Sequence, residues 1–498
     1  MSRWNLSWLL SFTAITLLGL SITFSAPSRG TGLQKAHEHL KLVVDVYEEV
    51  RQKYVKEASD DDMRQFVEDM VQFALERKDP YSGYLNPEEL KQFKKQSQGR
   101  FGGIGIRISV DRAGQIFVES PMPGTPAYEA GVLAGDLILK VEGESTESMS
   151  LKKAVEMIQG EPGTKVKLNV LHEGSKTPVD IDITRAEIAI DSIMGDQRQA
   201  DNLKEWNYWI DPVSKIAYVR IIAFTETTVP ELLKVLDTLQ KQNMNGLVID
   251  LRNNPGGLLR AAVEVSSMFL PEGKTIVTTK GRNNQKEEVF NAHHEHLKNL
   301  NPGLNYPICV LINRYSASAS EILAAALQDH LRAIIIGERS FGKGSVQNII
   351  PLENGSSALK LTTASYWRPS GRNIHRFAKS KEDEEWGVKP DIEVKLSDEE
   401  RIEYYKWRRD RDVVRRPGDP APKVKEDEKK KEPFKDRVLE KAVEEIHKQL
   451  KKKNGNAQAP AAPPAVVPES EASVDAAQAP VLRREEIFAP SFRRHSAA

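Results

Sequence analysis

The segment Gly246-Leu-Val-Ile-Asp-Leu-Arg-Asn-Asn-Pro-Gly-Gly257 decides the fold. Its first half is a short, mostly apolar run, which is typical of a strand buried on both faces of a sheet. Its second half contains Asn, Pro and Gly, the residues that end strands and form tight turns. The apolar positions of Leu258–Leu270 then predict a helix. A buried strand that turns into a helix is the unit from which α/β proteins are built.

The same unit recurs on both sides of this segment. Short apolar runs predict strands and amphipathic periods predict helices at Ile216–Ile222, Val229–Lys241, Ile308–Ile312, Ala319–Leu331 and Ala333–Gly337. Parallel strands need crossover connections, and helices that alternate with strands supply them. The alternation therefore predicts a layered α/β core with parallel strands over residues 187–398.

The rest of the chain divides by composition. Residues 33–98 carry apolar side chains at helical spacing and predict a helical domain, whereas residues 99–186 predict a small β-rich domain with two helices. Residues 399–453 are highly charged, with an amphipathic helix predicted at Val438–Leu450. Residues 454–498 are rich in Ala and Pro, a composition that cannot bury a core and predicts disorder.

Composition excludes several classes of function. The chain has 498 residues, and its 71 basic and 71 acidic residues give a net charge of zero, which argues against general nucleic-acid binding. The single cysteine, Cys309, lies in an apolar run, so neither an intramolecular disulfide nor a cysteine-based zinc site is expected. The cluster Asn291-Ala-His-His-Glu-His296 has polar flanks and no strict ligand spacing. We interpret it as a surface loop and expect neither a metal nor a cofactor.

The N-terminus has the pattern of a secretory leader. Arg3 precedes the apolar run Trp8–Phe24, and small residues near Ser25 and Ala26 offer a cleavage zone. The run is also at the short limit for a helix that spans a bilayer. Residues 1–26 are therefore expected to be a signal peptide or a membrane anchor. The expected location is periplasmic or otherwise extracytoplasmic, with the chain secreted or anchored to the inner membrane.

Three loops rich in Gly and Ser follow predicted strands of the α/β core, at residues 253–257, 313–321 and 337–347. The carboxyl ends of parallel strands are where α/β proteins usually place their sites. In the second loop, small residues surround Ser318, and the helix that follows offers free N–H groups and a positive dipole end to an oxyanion. Ser318 or Ser320 could equally be only the N-cap of that helix.

The third loop places Lys343 between two glycines directly after a buried strand. Burial lowers the pKa of a lysine, and a neutral amine can act as the base that activates a serine hydroxyl. An anion-binding loop or a solvated surface lysine is the other interpretation. In the first loop, Gly256 and Gly257 offer N–H groups to a developing oxyanion, although a turn that needs positive φ would also explain them.

Together the three loops resemble the carboxyl-terminal processing, or tail-specific, protease family. The resemblance is carried, in the family's order, by Asp250-Leu-Arg-Asn-Asn-Pro-Gly-Gly257, Ser316-Ala-Ser-Ala-Ser-Glu-Ile322 and Phe341-Gly-Lys-Gly-Ser-Val-Gln347. Further matches are Asp79-Pro-Tyr-Ser82, residues 361–371 and Gly387-Val-Lys-Pro-Asp391. The resemblance covers residues 35–395. It implies a crotonase/Clp-protease-like α/β catalytic core with an inserted β-rich PDZ domain and an N-terminal helical unit.

The resemblance also implies roles for single residues. The nucleophile is Ser318, the middle serine of its run, the general base is Lys343, and Gln347 orients the lysine amine. The oxyanion hole uses the N–H groups of Ala319 and of a glycine in the first loop, which we place at Gly257 with the preceding glycine as the alternative. The implied activity is that of a serine endopeptidase that cleaves proteins near their C-termini.

Residues 99–186 resemble the PDZ domain of that family. Gly103, Ile104, Gly105 and Ile106 match the carboxylate-binding loop, which holds a peptide C-terminus while the peptide adds as a strand. One helix face would supply the side-chain pocket through Leu151, Ala154, Val155 and Ile158, although plain core packing also explains these residues. In such enzymes the PDZ domain gates the active site as well as tethering the substrate. The expected partners are proteins with apolar or unstructured C-termini.

Two other functions compete with this one. A catalytically silent PDZ adaptor that retains the protease fold is opposed by the presence of Ser318, Lys343 and Gln347. Hydrolysis of a non-peptide ester or amide is opposed by the PDZ domain, which reads peptides. Both the N-terminal helices and the helix at 438–450 could mediate self-association, so a homo-oligomer is an open expectation. The physiological substrate and the role of the tail do not follow from the sequence.

Overall fold

The computed structural model describes residues 30–457 apart from 112, 285–286, 296–305, 417–418 and 420–433. The predicted signal peptide or anchor lies outside the described residues, and so does the predicted disordered tail beyond residue 457. The chain divides into a unit that ends at Lys451 and a second that begins at Lys452, and the candidate site belongs entirely to the first. Among the described residues, no helix is long and apolar enough to cross a membrane.

The helices, in chain order, are α1 (Gly30–Lys53), α2 (Asp60–Lys78), α3 (Pro87–Gln98), α4 (Pro126–Glu129), α5 (Leu151–Ile158), α6 (Thr228–Lys241), α7 (Leu259–Ser267), α8 (Ala319–Asp329), α9 (Asp398–Asp412) and α10 (Arg437–Ala457). Short 3-10 turns lie at Arg282–Asn284 and Glu353–Gly355. The last helix therefore extends beyond the predicted Val438–Leu450, into residues that the sequence pattern assigned to the tail.

The strands of the N-terminal half are β1 (Gly83–Leu85), β2 (Arg100–Gly103), β3 (Ile106–Val110), β4 (Ile116–Pro121), β5 (Leu137–Val141), β6 (Glu144–Ser145), β7 (Lys165–Leu171), β8 (Val179–Thr184), β9 (Ala186–Ala189), β10 (Ile193–Met194), β11 (Gln197–Arg198), β12 (Trp206–Asn207) and β13 (Trp209–Asp211). Those of the second half are β14 (Ile216–Ile221), β15 (Gly246–Asp250), β16 (Thr275–Gly281), β17 (Glu288–Asn291), β18 (Ile308–Ile312), β19 (Ile334–Gly337), β20 (Ser345–Leu352), β21 (Ser357–Trp367) and β22 (Ile392–Glu393).

A parallel sheet lies at the centre of the α/β region. Strands β14, β15, β18 and β19 run side by side in that order, β22 joins β19 in parallel, and β10 and β13 pair antiparallel with β14. Every residue of β14, β15 and β18 is buried. Their side chains are covered on both faces, and this explains why the three strands appear in the sequence as continuous apolar runs.

Side chains from this sheet alternate between two buried layers. On one face, Val219 and Ile249 pack in a cluster with apolar side chains of α6, α7 and α8. On the other face, Tyr218 and Val248 pack with apolar side chains of α9 and α10. The charged C-terminal segment therefore covers one whole face of the sheet, because the apolar side of its amphipathic helices excludes water there.

A second, antiparallel sheet was not foreseen from the sequence. Its long strand β21 pairs with β1, β16 and β20, and β17 extends it beside β16. The residues Asp79-Pro-Tyr-Ser-Gly-Tyr-Leu85 predict a turn from their Pro, Ser and Gly. The structure instead places β1 there, and its Gly83 and Leu85 pair with Lys360 and Ala358. That interpretation is wrong for the last three residues, because so short a strand leaves no periodic pattern. The pairing brings the preceding residues, Tyr81 and Ser82, to the edge of the active site.

The region between α3 and the parallel sheet is rich in antiparallel strands. Strands β3, β4, β5, β7 and β8 form one sheet in that order, with β6 beside β5. Fully buried side chains such as Val118 and Leu168 fill its core together with residues of α4 and α5. Strands β2 and β9 pair with each other and bring the two ends of the region together, as an inserted domain requires. Among the described strands, β3 has a partner on one side only.

The chain that follows α9 connects this β-rich region with the parallel sheet. The Arg107 guanidinium of β3 donates to the Asp412 carbonyl oxygen at 3.1 Å, and the Val414 N–H donates to the Ser120 hydroxyl at 2.9 Å. The Asp412 carboxylate pairs with Arg220 of β14 at 2.6 Å. Asp412 thus contacts the β-rich region with its backbone and the sheet with its side chain.

Candidate active site

The first and second loops are joined by the two outer serines of the Ser-Ala-Ser-Ala-Ser run. The Ser320 hydroxyl donates to the Asn254 carbonyl oxygen at 3.0 Å, and the Ser316 hydroxyl donates to the Leu251 carbonyl oxygen at 2.8 Å. Both serines are fully buried. Their hydroxyls hold the loops together, which leaves Ser318 as the serine of the run that is not used in this way.

Ser318 has a strained backbone at the turn from β18 into α8. Its φ is 56° and its ψ is −114°, and it occupies the N-cap position of α8. A non-glycine residue in such a sparsely populated region costs about 1–3 kcal/mol and persists only where its surroundings enforce it. In α/β hydrolases a sharp strand-to-helix turn of this kind exposes the nucleophilic hydroxyl above the sheet. This backbone geometry makes Ser318 a candidate nucleophile.

The carboxylate of Glu321 connects the second loop with the third. Its Oε2 accepts the N–H groups of Ser318 and Lys343, both at 2.8 Å. Its Oε1 accepts the Gly342 N–H at 2.7 Å and the Ser340 hydroxyl at 2.6 Å. Burial raises the pKa of Glu321 to about 7, while the four donors favour the ionised form. This role was missed from the sequence, although Glu321 stands in the quoted run directly after its last serine.

Lys343 lies half-buried in the third loop. Burial is the main cause that lowers the pKa of its amine, the nearby charge of Lys360 lowers it further, and Glu321 and Asp79 oppose both. The Nζ atom lies 4.9 Å from the centre of the Tyr81 ring. A lysine amine with a lowered pKa at a strand end is suited to act as a base. Within the described part of the chain, no hydrogen bond joins Lys343 Nζ to Ser318 or to a glutamine.

Gln347 lies on β20 beside the same loop. Its Nε2 donates to the hydroxyls of Ser345 at 2.9 Å and Thr362 at 3.1 Å. The Thr362 N–H donates to the Ser82 hydroxyl at 3.0 Å, and that hydroxyl donates to Asp79 at 2.5 Å. The Asp79–Ser82 segment is therefore linked to the candidate glutamine through Thr362 of β21, which binds Ser82 with its backbone N–H and Gln347 with its hydroxyl.

The two glycines of the first loop differ in the use of their N–H groups. Gly256 is buried and its N–H donates to the Asn254 side-chain oxygen at 2.8 Å. Gly257 is exposed, has a φ of 144°, and its N–H makes no hydrogen bond to any described residue. A Cβ on Gly256 would lie 2.8 Å from Ser318 Cβ and 2.9 Å from the Ala319 nitrogen, so this loop packs directly against the start of α8.

Tyr81 and His375 are further residues at the site that sequence reasoning did not single out. Their rings meet edge to face with centroids 6.4 Å apart, and the His375 ring also contacts Phe377 at 4.8 Å. Burial lowers the pKa of His375, and its buried Nδ1 has no partner among the described residues. Tyr81 belongs to the quoted Asp-Pro-Tyr-Ser match, whereas nothing in the sequence near His375 indicated proximity to Lys343.

A cavity of about 1090 Å³ lies next to the third loop. Its wall includes Gly342, which precedes the candidate lysine, and the aromatic rings of Tyr81, Tyr315, Phe341 and Phe377. The last three of these rings are between 45% and 61% exposed. An open cavity with exposed rings can accept several side chains of an extended peptide, which is the shape of substrate that an endopeptidase requires.

The candidate peptide-binding residues lie at the edge of the β-rich region. Gly103, Ile104 and Gly105 are buried, Ile106 is half-buried, and the edge strand β3 begins at Ile106. The Gly105 carbonyl oxygen accepts the Met122 N–H at 2.9 Å, which fixes the loop from behind. The free edge of β3 is the side on which a peptide strand can add.

The helix residues predicted for the peptide pocket divide into two groups. Ala154 and Ile158 are buried in the core of the β-rich region, and Leu151 packs against that core. Val155 is half-buried and is not part of the buried cluster. The first group supports the fold, and Val155 is the member of the set that can meet a ligand.

The histidine cluster is only partly described, because His296 lies outside the described residues. His294 contacts the Leu270 carbonyl oxygen through Nε2 at 2.8 Å and Glu272 through Nδ1 at 3.2 Å. In the described ranges no group of three or more His, Cys, Asp or Glu side chains could hold a metal. The expectation of a surface loop without a metal stays a prediction.

Comparison with known proteins agrees with this geometry. Residues 215–394 match peptidase family S41, and residues 117–171 match the PDZ domain family. The chain is 39% identical over 389 residues to a carboxy-terminal-processing protease of Bartonella bacilliformis, covering 77% of this chain and 81% of that one. It is 33% identical over 416 residues to the carboxy-terminal processing protease CtpA of Bacillus subtilis, covering 83% and 80%.

A solved photosystem II D1 C-terminal processing protease is 29% identical, with a TM-score of 0.38 over 70% of this chain and 85% of that chain. Fold, loops and sequence matches together define the class: the chain is a serine peptidase with a PDZ domain and a mixed α/β architecture. It belongs to peptidase family S41, within the group of carboxy-terminal processing proteases.

Proposed function

We propose that the chain cleaves proteins near their C-termini, with Ser318 as the nucleophile and Lys343 as its general base. The observation that carries this proposal is the Glu321 carboxylate, which binds the backbone N–H groups of both residues. Burial lowers the pKa of the Lys343 amine and so favours the neutral form that a base for a serine hydroxyl requires. Neither a cofactor nor a metal enters the proposed reaction.

The reaction proceeds through an acyl-enzyme. The Lys343 amine removes the Ser318 proton while Oγ attacks the scissile carbonyl carbon, and the negative charge that forms on the carbonyl oxygen is bound by the N–H groups of Gly257 and Ala319. The lysine ammonium then gives its proton to the leaving amine as the C–N bond breaks. In the second half, the Lys343 amine takes a proton from a water molecule as that water attacks the ester carbon. The lysine ammonium then returns the proton to Ser318 Oγ as the ester C–O bond breaks and the product leaves with its new carboxyl group.

Gly257 is the better glycine for this role. Its N–H makes no bond among the described residues, whereas the Gly256 N–H is already used by the Asn254 side chain. The Ala319 N–H, at the first turn of α8, has the favourable orientation of a helix N-terminus. Two donors of this kind act where the oxyanion develops and need no reorganisation during the reaction.

We further propose that the arrangement of the dyad is a resting one that substrate completes. In the described residues Ser318 and Lys343 share no hydrogen bond, and Gln347 is turned to Ser345 and Thr362. Catalytic hydrogen bonds of free enzymes are often completed only in the substrate complex. A rotation of Gln347 toward Lys343 would orient the amine, and a peptide bound on the PDZ domain is the proposed trigger.

The substrate is proposed to be a protein with an apolar or unstructured C-terminus. Such a tail can add to the free edge of β3, with its carboxylate at the Gly103–Ile106 loop and a side chain against Val155. We also propose a crotonase/Clp-protease-like fold for the α/β catalytic core, an N-terminal helical unit, and an extracytoplasmic location set by residues 1–26. Self-association through exposed apolar side chains of α1 would make the enzyme a homo-oligomer.

Two substitutions and one probe test the dyad. Ser318→Ala and Lys343→Ala are expected to lower the rate of cleavage of an unfolded, C-terminally tailed protein by about 10⁴-fold or more. Ser316→Ala is the matched control, because that hydroxyl binds Leu251 and its loss should reduce stability more than chemistry. A fluorophosphonate probe should label the wild type and fail to label the Ser318→Ala variant. Undiminished cleavage by either dyad variant would refute the mechanism, and an unlabelled, inactive wild type would favour the silent adaptor.

A further inference from the structure

The guanidinium of Arg252, two residues after β15, lies between two buried carboxylates. Its Nη1 and Nη2 donate to the two oxygens of Asp436 at 2.9 and 2.8 Å. Its Nη2 and Nε donate to Asp250 at 2.6 and 3.0 Å. None of the three side chains is more than 4% exposed. The Tyr218 hydroxyl donates a hydrogen bond to Asp250 at 2.6 Å. The centre of the Tyr404 ring lies 4.5 Å from the guanidinium carbon of Arg252.

Asp436 comes from the C-terminal part of the chain, outside the region 215–394 that matches the S41 family. The same carboxylate accepts the Leu439 N–H at 3.1 Å and so begins α10. The helix then packs on the sheet, where Ile446 fills the space that a Cβ on Gly246 would enter. The position of Asp436 is therefore fixed by a helix that itself packs on the sheet.

Arg252 stands at the base of the candidate oxyanion loop. The backbone N–H of Arg252 donates to Asp250 Oδ1 at 2.9 Å, and this bond sets the direction in which the chain leaves β15. Two residues later, the Asn254 side chain accepts the Gly256 N–H at 2.8 Å and donates to the Ile221 carbonyl oxygen at 2.7 Å. The loop is short, and the N–H groups of Asn253, Asn254 and Gly256 are all hydrogen-bonded. We therefore expect a tilt at Arg252 to displace the glycines at the tip of the loop.

Stability alone does not explain this arrangement. A buried ion pair often contributes no more to stability than apolar side chains of the same volume would. A planar guanidinium held bidentately by one carboxylate and by a second on its other side is, however, fixed in position and in tilt. Such directional restraint is useful where a backbone N–H must meet a reacting atom within a fraction of an ångström.

We propose that Asp436 is a positioning residue for the oxyanion loop, acting through Arg252, so that α10 completes the active site. This inference rests on the proposed function, because it assumes that the Gly257 N–H binds the oxyanion. It assigns to the C-terminal helices a part in catalysis beyond covering the sheet. Asp436 itself touches neither the substrate nor the reacting atoms.

The test is the substitution Asp436→Asn in the full chain, assayed with a quenched fluorescent peptide that ends in an apolar residue. The amide that Asp436→Asn introduces cannot accept both hydrogen bonds that the Arg252 guanidinium donates to Asp436. Of the two side chains that hold Arg252, only Asp250 then binds it fully. We expect kcat to fall about 10- to 100-fold with KM unchanged, since a misplaced oxyanion donor weakens only the transition state. Fluorophosphonate labelling of Ser318, which passes through a similar oxyanion, should slow by a comparable factor.

The matched control is Ile446→Ala, on the same helix but at the opposite end of the strands, beside Gly246. It lowers the melting temperature through a cavity and leaves the Asp436–Arg252 pair in place. If the control lowers kcat as much as Asp436→Asn at equal loss of stability, Asp436 is only structural and the proposal fails. Wild-type kcat in folded Asp436→Asn would overturn it as well.

Two further measurements keep the result decisive. If Asp436→Asn does not fold, Asp436→Glu is the second variant, because it keeps the charge but displaces the carboxylate. A lowered kcat with unchanged KM in this variant supports the proposal. A wild-type kcat refutes it. Ser318→Ala, measured in parallel, separates the two levels of inference. Activity that survives Ser318→Ala would refute the proposed function, whereas an inactive Ser318→Ala with a fully active Asp436→Asn would refute only the role of Asp436.

Discussion

Ser318 and Lys343 donate their backbone N–H groups to one and the same oxygen atom, Oε2 of Glu321, each at 2.8 Å. The backbones of the candidate nucleophile and base are thus held relative to each other by a third residue. The distance between the two loops depends on that carboxylate, which is fully buried.

Replacing Glu321 with Gln should separate these loops. An amide nitrogen cannot accept the N–H groups that face it, and each buried donor left without a partner costs about 1–3 kcal/mol. We expect a lower melting temperature and a kcat reduced about 10- to 100-fold. Peptide cleavage and thermal unfolding measure the two effects, and a variant with wild-type values in both would show that the shared oxygen is unimportant. Glu353→Gln, at an exposed carboxylate far along the chain, is the control.

The cleavage rate should rise with pH. Lys343 acts as a base only when neutral, and burial lowers its pKa, so the rising limb of kcat/KM is expected below the ordinary lysine pKa of 10.5. The charge of Lys360 contributes to that lowering. Lys360→Gln should therefore move the limb to higher pH, and Lys360→Arg should leave it in place. A limb that does not respond to Lys360→Gln, or a rate that falls as pH rises through this range, would contradict the assignment of the base.

Gly257 should tolerate no side chain. A Cβ there would lie 2.0 Å from the Phe224 carbonyl oxygen, and the φ of 144° is one that L side chains rarely adopt. We expect Gly257→Ala to destabilise the fold by more than about 3 kcal/mol and to abolish cleavage. Gly273→Ala is the control, because it also has positive φ but open space around it. Denaturant unfolding should separate the two variants, and equal losses would argue against steric contact at Gly257.

The PDZ groove should respond to Val155 and not to its buried neighbours. Val155→Glu places a charge beside the expected peptide side chain, so the affinity for a peptide with an apolar C-terminus should fall about tenfold while the melting temperature stays nearly unchanged. Ile158→Ala should instead destabilise the core by about 2–5 kcal/mol. Fluorescence anisotropy and thermal unfolding report the two properties. An unchanged peptide affinity in Val155→Glu would exclude this face of α5 as the pocket.

Much of the parallel sheet could be predicted because its strands are buried on both faces. Ile308–Ile312 was predicted with the bounds that the structure gives, and β14, β15 and β19 differ by one residue at an end. Ser318 could be separated from its neighbours only through the family resemblance, since spacing alone left a helix cap as an alternative. The structure adds a physical reason, because the hydroxyls of Ser316 and Ser320 are buried and engaged.

Other parts of the site depend on contacts between distant segments, which no local pattern records. Tyr81 reaches Lys343 only because a three-residue strand joins β21. Asp436 reaches Arg252 across 184 positions of sequence. The charged composition of residues 399–453 concealed the apolar side of α9, and the amphipathic helix predicted at Val438–Leu450 was assigned to an extension rather than to a layer of the core.

Among the described elements, α10, which packs on the sheet, is the last to be synthesised. If Asp436 sets the tilt of the oxyanion loop, a nascent chain that has been synthesised only as far as β22 has its serine and lysine but not a competent oxyanion site. The order of translation would then delay proteolytic activity until α10 has been synthesised and has packed on the sheet.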